Sequence, residues 1–173
     1  TLSKKEKIFL KKYKPWGVIL FSRNIKSIKQ TKKLTIEIRK IFNDKLYPIL
    51  LDQEGGRVNR LQTFFNADQF TGEFFGKLFL EDKKKFIHYY KLFISKTSYL
   101  LKCIGININT VPVLDIRVKG SSNIIGNRAF SNNPKVINKI GNFCIKFFHE
   151  ENIGTVIKHI PGHGLAKVDS HKF

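Results

Sequence analysis

The sequence predicts an α/β fold with parallel strands and helices between them. Short, continuously apolar runs such as Val18-Ile19-Leu20 and Ile49-Leu50-Leu51 alternate with longer stretches whose apolar residues recur at helical spacing. Each apolar run is followed by a polar cluster: Ser22-Arg23-Asn24, residues 52–60, Asp115 with Arg128, and residues 158–171. Ligands of α/β folds bind at the carboxyl ends of the strands, so four clusters at four strand ends point to one site. No repeat, low-complexity tract or linker interrupts the pattern, so residues 1–173 read as a single domain.

The elements follow in order. Residues 3–13 read as a helix with Ser3 as N-cap, and residues 27–42 as a second, with Ile28, Leu34, Ile38 and Ile41 on its apolar positions. Residues 17–21 and 47–51 read as strands, and their unbroken apolarity predicts burial on both faces. A Phe-rich loop spans residues 61–75. Residues 81–104 form one long amphipathic helix with Phe86, Tyr90, Phe93, Thr97 and Leu101 near one face. A third strand covers residues 106–114, and a polar loop residues 121–130. Residues 134–150 are helical, residues 155–158 form a fourth strand, and a Gly-rich loop runs to the end. Strand–helix alternation of this kind implies right-handed crossovers between parallel strands.

The chain carries 32 Lys and Arg against 13 Asp and Glu, a formal net charge of +19. Such a balance can signal a nucleic acid or an anionic membrane. Here most of the basic residues are Lys, in short runs such as Lys4-Lys5, Lys11-Lys12 and Lys83-Lys84-Lys85 on expected outer helix faces. Lys, Asn, Ile and Phe are also residues of AT-rich codons, so solvated faces and codon bias explain the charge better than a polyanion site. Cys103 and Cys144 sit in apolar stretches and form neither a disulfide framework nor a zinc pattern, which fits a reducing, cytoplasmic setting. No apolar run approaches the ~20 residues that cross a bilayer. The chain begins at Thr1 and contains no Met, which suggests that the start of the gene product lies upstream.

Two clusters carry most of the chemistry. In Asp52-Gln53-Glu54-Gly55-Gly56-Arg57-Val58-Asn59-Arg60, two carboxylates and two guanidiniums follow a strand, and the Gly pair permits a sharp turn. A carboxylate there can accept paired hydrogen bonds from vicinal hydroxyls, and Arg offers a planar donor fork; a structural salt-bridge loop is the alternative. In Lys158-His159-Ile160-Pro161-Gly162-His163-Gly164, adjacent strand residues would point to opposite faces, but the Pro161-Gly162 turn can bring Lys158 and His159 to one ligand. As metal ligands, His159, His163 and His171 match poorly, because the Pro and Gly residues break the helix their spacing would need. Asp169-Ser170-His171, taken alone, reads as a surface loop. An Asp near a His can nonetheless fix the imidazole tautomer and raise its pKa, making a proton carrier near neutral pH.

These segments, with Gly17-Val18-Ile19-Leu20-Phe21-Ser22-Arg23-Asn24, Pro112-Val113-Leu114-Asp115 and Gly126-Asn127-Arg128-Ala129-Phe130, resemble the bacterial β-N-acetylhexosaminidases of glycoside hydrolase family 3, NagZ type, in order and spacing over nearly the whole chain. The resemblance implies a (β/α)₈ TIM-type barrel, of which this chain would hold roughly strands 2–5 with their helices, incomplete at both ends. It implies a retaining glycosidase that removes terminal β-linked N-acetylglucosamine from muropeptides bearing anhydro-N-acetylmuramic acid, in the cytoplasm. Such an enzyme would need no cofactor or metal and no nucleic-acid or membrane partner, and would be a monomer when complete. Asp52, Arg60, Arg128, Lys158 and His159 would bind the sugar. His171, paired with Asp169, would be the acid/base on a mobile loop. The nucleophile, an Asp on a later strand, matches no residue here, so the 173-residue chain alone is expected to be inactive. Unpaired strand edges would also make it aggregation-prone.

Three rival readings remain at this point. A family 3 β-glucosidase is disfavoured by the Lys-His-x-Pro-Gly-His-Gly run. A phosphorolytic enzyme with phosphate as acceptor would suit a His acid/base, which repels an anion less than Glu does. A basic polyanion-binding protein would need interleaved aromatics on one charged face, whereas the Phe residues here fall at core spacing.

Overall fold

A computed structural model of the chain describes residues 1–168; Asp169 and His171, the expected acid/base pair, lie outside the described residues. Four strands, β1 (Val18–Leu20), β2 (Ile49–Leu51), β3 (Ile108–Asn109) and β4 (Gly154–Thr155), form one parallel sheet in chain order. Between and before them lie α1 (Lys4–Tyr13), α2 (Ile28–Phe42), α3 (Gly72–Glu81), α4 (Lys83–Cys103) and α5 (Pro134–Glu150). Sequential parallel strands joined by helices make an open segment of an α/β barrel.

Capping residues set the helix boundaries. Ser3 forms a capping box with Glu6 on α1, and Ser27 accepts from the Gln30 amide on α2, which ends in left-handed Asn43. Asn133 caps α5, with Pro134 in its first turn. The expected single helix over 81–104 starts later, because Asp82 accepts from both the Lys84 and Lys85 amides and caps α4 at Lys83. The preceding segment forms the separate helix α3, which occupies the end of the expected Phe-rich loop. Thr71 supplies its cap, and a Gly-rich start with clustered Phe concealed its helical period.

The expected face of α4, Phe86, Tyr90, Phe93, Thr97 and Leu101, is buried. Phe75, Phe70, Phe79 and Phe143 pack around it, with ring centroids 4.5 Å apart for Phe75–Tyr90 and 5.1 Å for Phe79–Phe86. Most of the described Phe residues therefore belong to the core, at about 1.5–3 kcal/mol per fully buried ring, whereas Phe9 and Phe74 are exposed. The runs Lys4-Lys5, Lys11-Lys12 and Lys83-Lys84-Lys85 are exposed.

The strands differ from expectation in two respects. Their regular stretches are shorter: within residues 106–114 and 154–158 the strands hold two residues each, extended by single backbone bonds from Asn107, Thr110 and Val156 and by a Val113–Lys158 bridge. Burial is also one-sided. The register row Leu20–Leu51–Asn109 is buried, whereas Ile19 in the neighbouring row Ile19–Leu50–Ile108 is 42% exposed. Helices cover one face of this open sheet, and the other face would be buried only inside a closed barrel.

Candidate functional site

The expected sugar-binding residues converge at the carboxyl ends of the strands. Asp52 follows β2 directly and receives Lys158 Nζ at 2.9 Å and the Thr110 hydroxyl on the same oxygen. Arg60 Nη2 stands 3.7 Å from the other Asp52 oxygen, and its guanidinium lies over the Phe21 ring, which tethers the end of β1 to the site. Arg128 closes the short helical turn Gly126–Arg128. Its Nη2 lies 3.5 Å from His159 Nε2. Lys158 and His159, joined by a cis peptide, both reach the cluster.

Two carboxylates that carried no assigned role tie these groups together. Glu54 accepts two parallel bonds from Arg128, Nε and Nη2 each at 2.8 Å, and its Oε1 is 2.5 Å from Lys158 Nζ. Asp115 accepts from the His159 ring at Nδ1 (2.5 Å) and from the amides of His159 (3.2 Å) and His163 (2.5 Å). Position after an apolar run was the available signal for both; what the sequence did not show was their pairing across 74 and 44 residues. Arg57 also acts locally, donating through Nη2 to the carbonyls of Asn123, Ile124 and Ile125 and so fixing the turn that bears Arg128. Gly55 and Gly56 take positive φ values of 96° and 55°, the sharp turn expected of the pair.

Helix α3 supplies the remaining support for Arg128. A Cβ on Gly72 would fall 2.1 Å from the Arg128 carbonyl oxygen, and one on Gly76 would fall 1.6 Å from that of Phe130. Glycines four residues apart thus let the helix lie flush against the 128–130 backbone.

The electrostatics are those of a balanced network. Asp52, Glu54 and Asp115 face Arg60, Arg128 and Lys158, so the charges cancel before His159 is counted. Burial pushes the Asp52 carboxyl upward, but the bonds from Thr110 and Lys158 and the charges of Lys158 and Arg60 outweigh it and hold the group below the usual aspartate range. At Asp115, burial is likewise outweighed, by the His159 ring and the His163 amide. Burial pulls the Arg128 guanidinium down, yet Glu54 more than compensates and raises it. Cys144 is buried and its thiol is pushed up to about 12 by desolvation, which makes it inert; it and Cys103 are free. Among the described residues no group of three or more His, Cys, Asp or Glu could hold a metal, and no helix is long and apolar enough to cross a membrane.

Fixed carboxylates and donor forks grouped at parallel strand ends define a polar cluster of the kind that α/β barrels use for ligands. The chain belongs to glycoside hydrolase family 3: the description "Glycosyl hydrolase family 3 N terminal domain" fits residues 1–173. It is 36% identical over 155 residues to a beta-hexosaminidase of Hydrogenovibrio crunogenus, covering 90% of this chain and 43% of that protein. It is also 36% identical to one of Idiomarina loihiensis, with 90% and 45% covered. Among solved structures it resembles NagZ from Neisseria gonorrhoeae in complex with N-trifluoroacetyl-D-glucosamine (TM-score 0.87, 30% identity), covering 99% of this chain and 50% of that one. A Paenibacillus family 3 beta-N-acetylglucosaminidase gives a TM-score of 0.79 at 27% identity, with 98% and 31% covered. The chain therefore spans about half the length, or less, of the relatives it matches.

Proposed function

We propose that the full-length protein containing this chain is a β-N-acetylhexosaminidase that removes terminal, non-reducing β-linked N-acetylglucosamine from muropeptide-type substrates. The observation that carries the reading is the joined network Asp52–Lys158–Glu54–Arg128–His159 at the strand ends. It has the acceptors for two vicinal hydroxyls and the donors for ring and acetamido oxygens, and it is charge-neutral like the sugar it would hold. The relative in complex with N-trifluoroacetyl-D-glucosamine supports the choice of an N-acylated hexosamine.

The reaction is a retaining double displacement. A nucleophilic carboxylate outside residues 1–173 attacks the anomeric carbon, and the imidazolium of His171, held protonated by Asp169, gives its proton to the leaving oxygen. The glycosyl-enzyme intermediate then forms, and water, deprotonated by His171, displaces the enzyme carboxylate. Asp52, Arg60, Arg128, Lys158 and His159 grip the ring during both steps. The setting is cytoplasmic, the enzyme is monomeric, and no cofactor, nucleic acid or membrane takes part.

The test is turnover by the full-length protein of a 4-nitrophenyl β-N-acetylglucosaminide against the matching β-glucoside, with and without phosphate. Release confined to the N-acetylated substrate, with free N-acetylglucosamine as product, is expected. Equal rates on both sugars, a sugar phosphate product, or no release would overturn the assignment.

A further inference from the structure

The Asp115 carboxylate is buried to 0% side-chain exposure, yet none of its bonds is needed to hold the β3 and β4 segments together. The backbone does that already: Leu114 N donates to Lys158 O at 2.6 Å, Lys158 N donates to Pro112 O at 3.1 Å, and Val113 bridges Lys158. The three bonds to Asp115 go further along, to the His159 ring, the His159 amide and the His163 amide. An ionised carboxylate only accepts, so Nδ1 of His159 must carry the hydrogen. In the neutral ring Nε2 is then the acceptor, and the Arg128 donor that faces it at 3.5 Å suits a lone pair there and not a second ring proton.

Resting on the functional reading above, we infer that Asp115 is a positioning residue for two parts of the site at once. It fixes the Nδ1–H tautomer of His159, so that Nε2 accepts a hydrogen bond from a sugar hydroxyl. It also clamps, through the His159 and His163 amides, the Pro161-Gly162 turn that carries His159 and His163. An amide at this position cannot do both. With Asp115→Asn, one oxygen still accepts, but the NH₂ group opposes either the ring and amide of His159 or the amide of His163, donor against donor.

The experiment uses the full-length protein with ¹⁵N-labelled histidine. In the wild type, His159 should show a protonated Nδ1 and an unprotonated Nε2, and the His163 amide should be protected from exchange. In Asp115→Asn, kcat/KM should fall by about 10- to 100-fold, the loss of one or two bonds to a charged group. The His159 signals should show mixed tautomers, or the His163 amide should exchange faster, in addition to whatever fall in melting temperature the donor-to-donor contact brings. A buried staple without a positioning role would lower the melting temperature and leave the tautomer alone. A wild-type His159 protonated on Nε2 overturns the inference, as does a folded Asp115→Asn within about 2-fold of wild-type kcat/KM. If the variant does not fold, the wild-type tautomer and His163 protection decide alone: an Nε2 proton or an unprotected amide is the overturning result. A wild-type protein without glycosidase activity would remove the proposed function but leave the tautomer measurement to judge Asp115 separately.

Discussion

Removing the carboxylate of Glu54 is the sharpest perturbation of the network. The Glu54 side chain is 7% exposed, and the two cations it holds, Arg128 and Lys158, are each 13% exposed. Glu54→Ala deletes both bonds to Arg128 and the ion pair to Lys158. Lys158 keeps Asp52 and Thr110, and Arg128 keeps the Ile124 carbonyl and the long contact to His159 Nε2 but no carboxylate. The uncompensated group is therefore chiefly Arg128. Two bonds to a charged acceptor contribute about 1.5–3 kcal/mol each, and breaking a buried pair costs about 3–5 kcal/mol. The lower figure, about 3 kcal/mol, applies because Lys158 retains its partners and the site is open to water on one side. For a full-length protein about twice the length of this chain, that is roughly 3–6 °C in Tm. Thermal denaturation of the full-length protein measures it, with Glu73→Ala as control. Glu73 pairs with Arg117 and Lys77 at the surface and should cost about 0–1 kcal/mol. If Glu54→Ala melts no lower than Glu73→Ala, the network does not carry the energy assigned to it here.

Three further outcomes are expected. The folded-state pKa of Asp52 is depressed, so its stabilisation is fully present above the unfolded value and is lost as pH falls through the folded one; urea titrations below about pH 4 should show a shallower acid decline in Asp52→Asn. Gly76→Ala, which would gain up to about 1 kcal/mol from helix propensity at a free position, should instead destabilise by about 1–3 kcal/mol, because its Cβ meets the Phe130 carbonyl; chemical denaturation reads the sign. Affinity for N-acetylglucosamine, followed by calorimetry, should vary less than about 2-fold between low and high salt, whereas a polyanion would lose orders of magnitude.

The helices were legible because their signals are local. Ser3, Ser27 and Pro134 mark starts, and apolar spacing marks the faces that bury Leu34, Ile38, Tyr90 and Phe147. Helix α3 escaped because its two glycines weaken a helix by propensity; their reason is the backbone of Arg128 and Phe130, more than 50 residues away in sequence and invisible to any window. The same distinction divides the site. Asp52, Arg60, Arg128, Lys158 and His159 were grouped from the sequence as one expected site, and the structure brings them together. Glu54 and Asp115 were in view as members of polar clusters, but a carboxylate whose partners lie far along the chain looks in sequence like any solvated acid. Asp169 and His171 lie outside the described residues.

The net charge of +19 illustrates the converse error that sequence invites. Charge summed over a chain describes the field far from the surface, where Lys side chains on α1 and α4 point into solvent. Inside the site the sum is near zero: Lys158 pairs with Asp52 and Glu54, Arg128 with Glu54 and Arg60 with Asp52, and the Asp115 carboxylate against the His159 ring balances the third cation. Pairing of this kind is what partial burial of charge demands, since an unpaired ion at this depth would cost several kcal/mol. It also suits the neutral polyhydroxylic ligand proposed above, whose hydroxyls can bridge a carboxylate and its cation without changing the local charge. A phosphate-bearing polymer would have to break those pairs to bind here. The neutrality of the cluster, more than the basicity of the chain, is therefore the property on which the proposed sugar ligand rests.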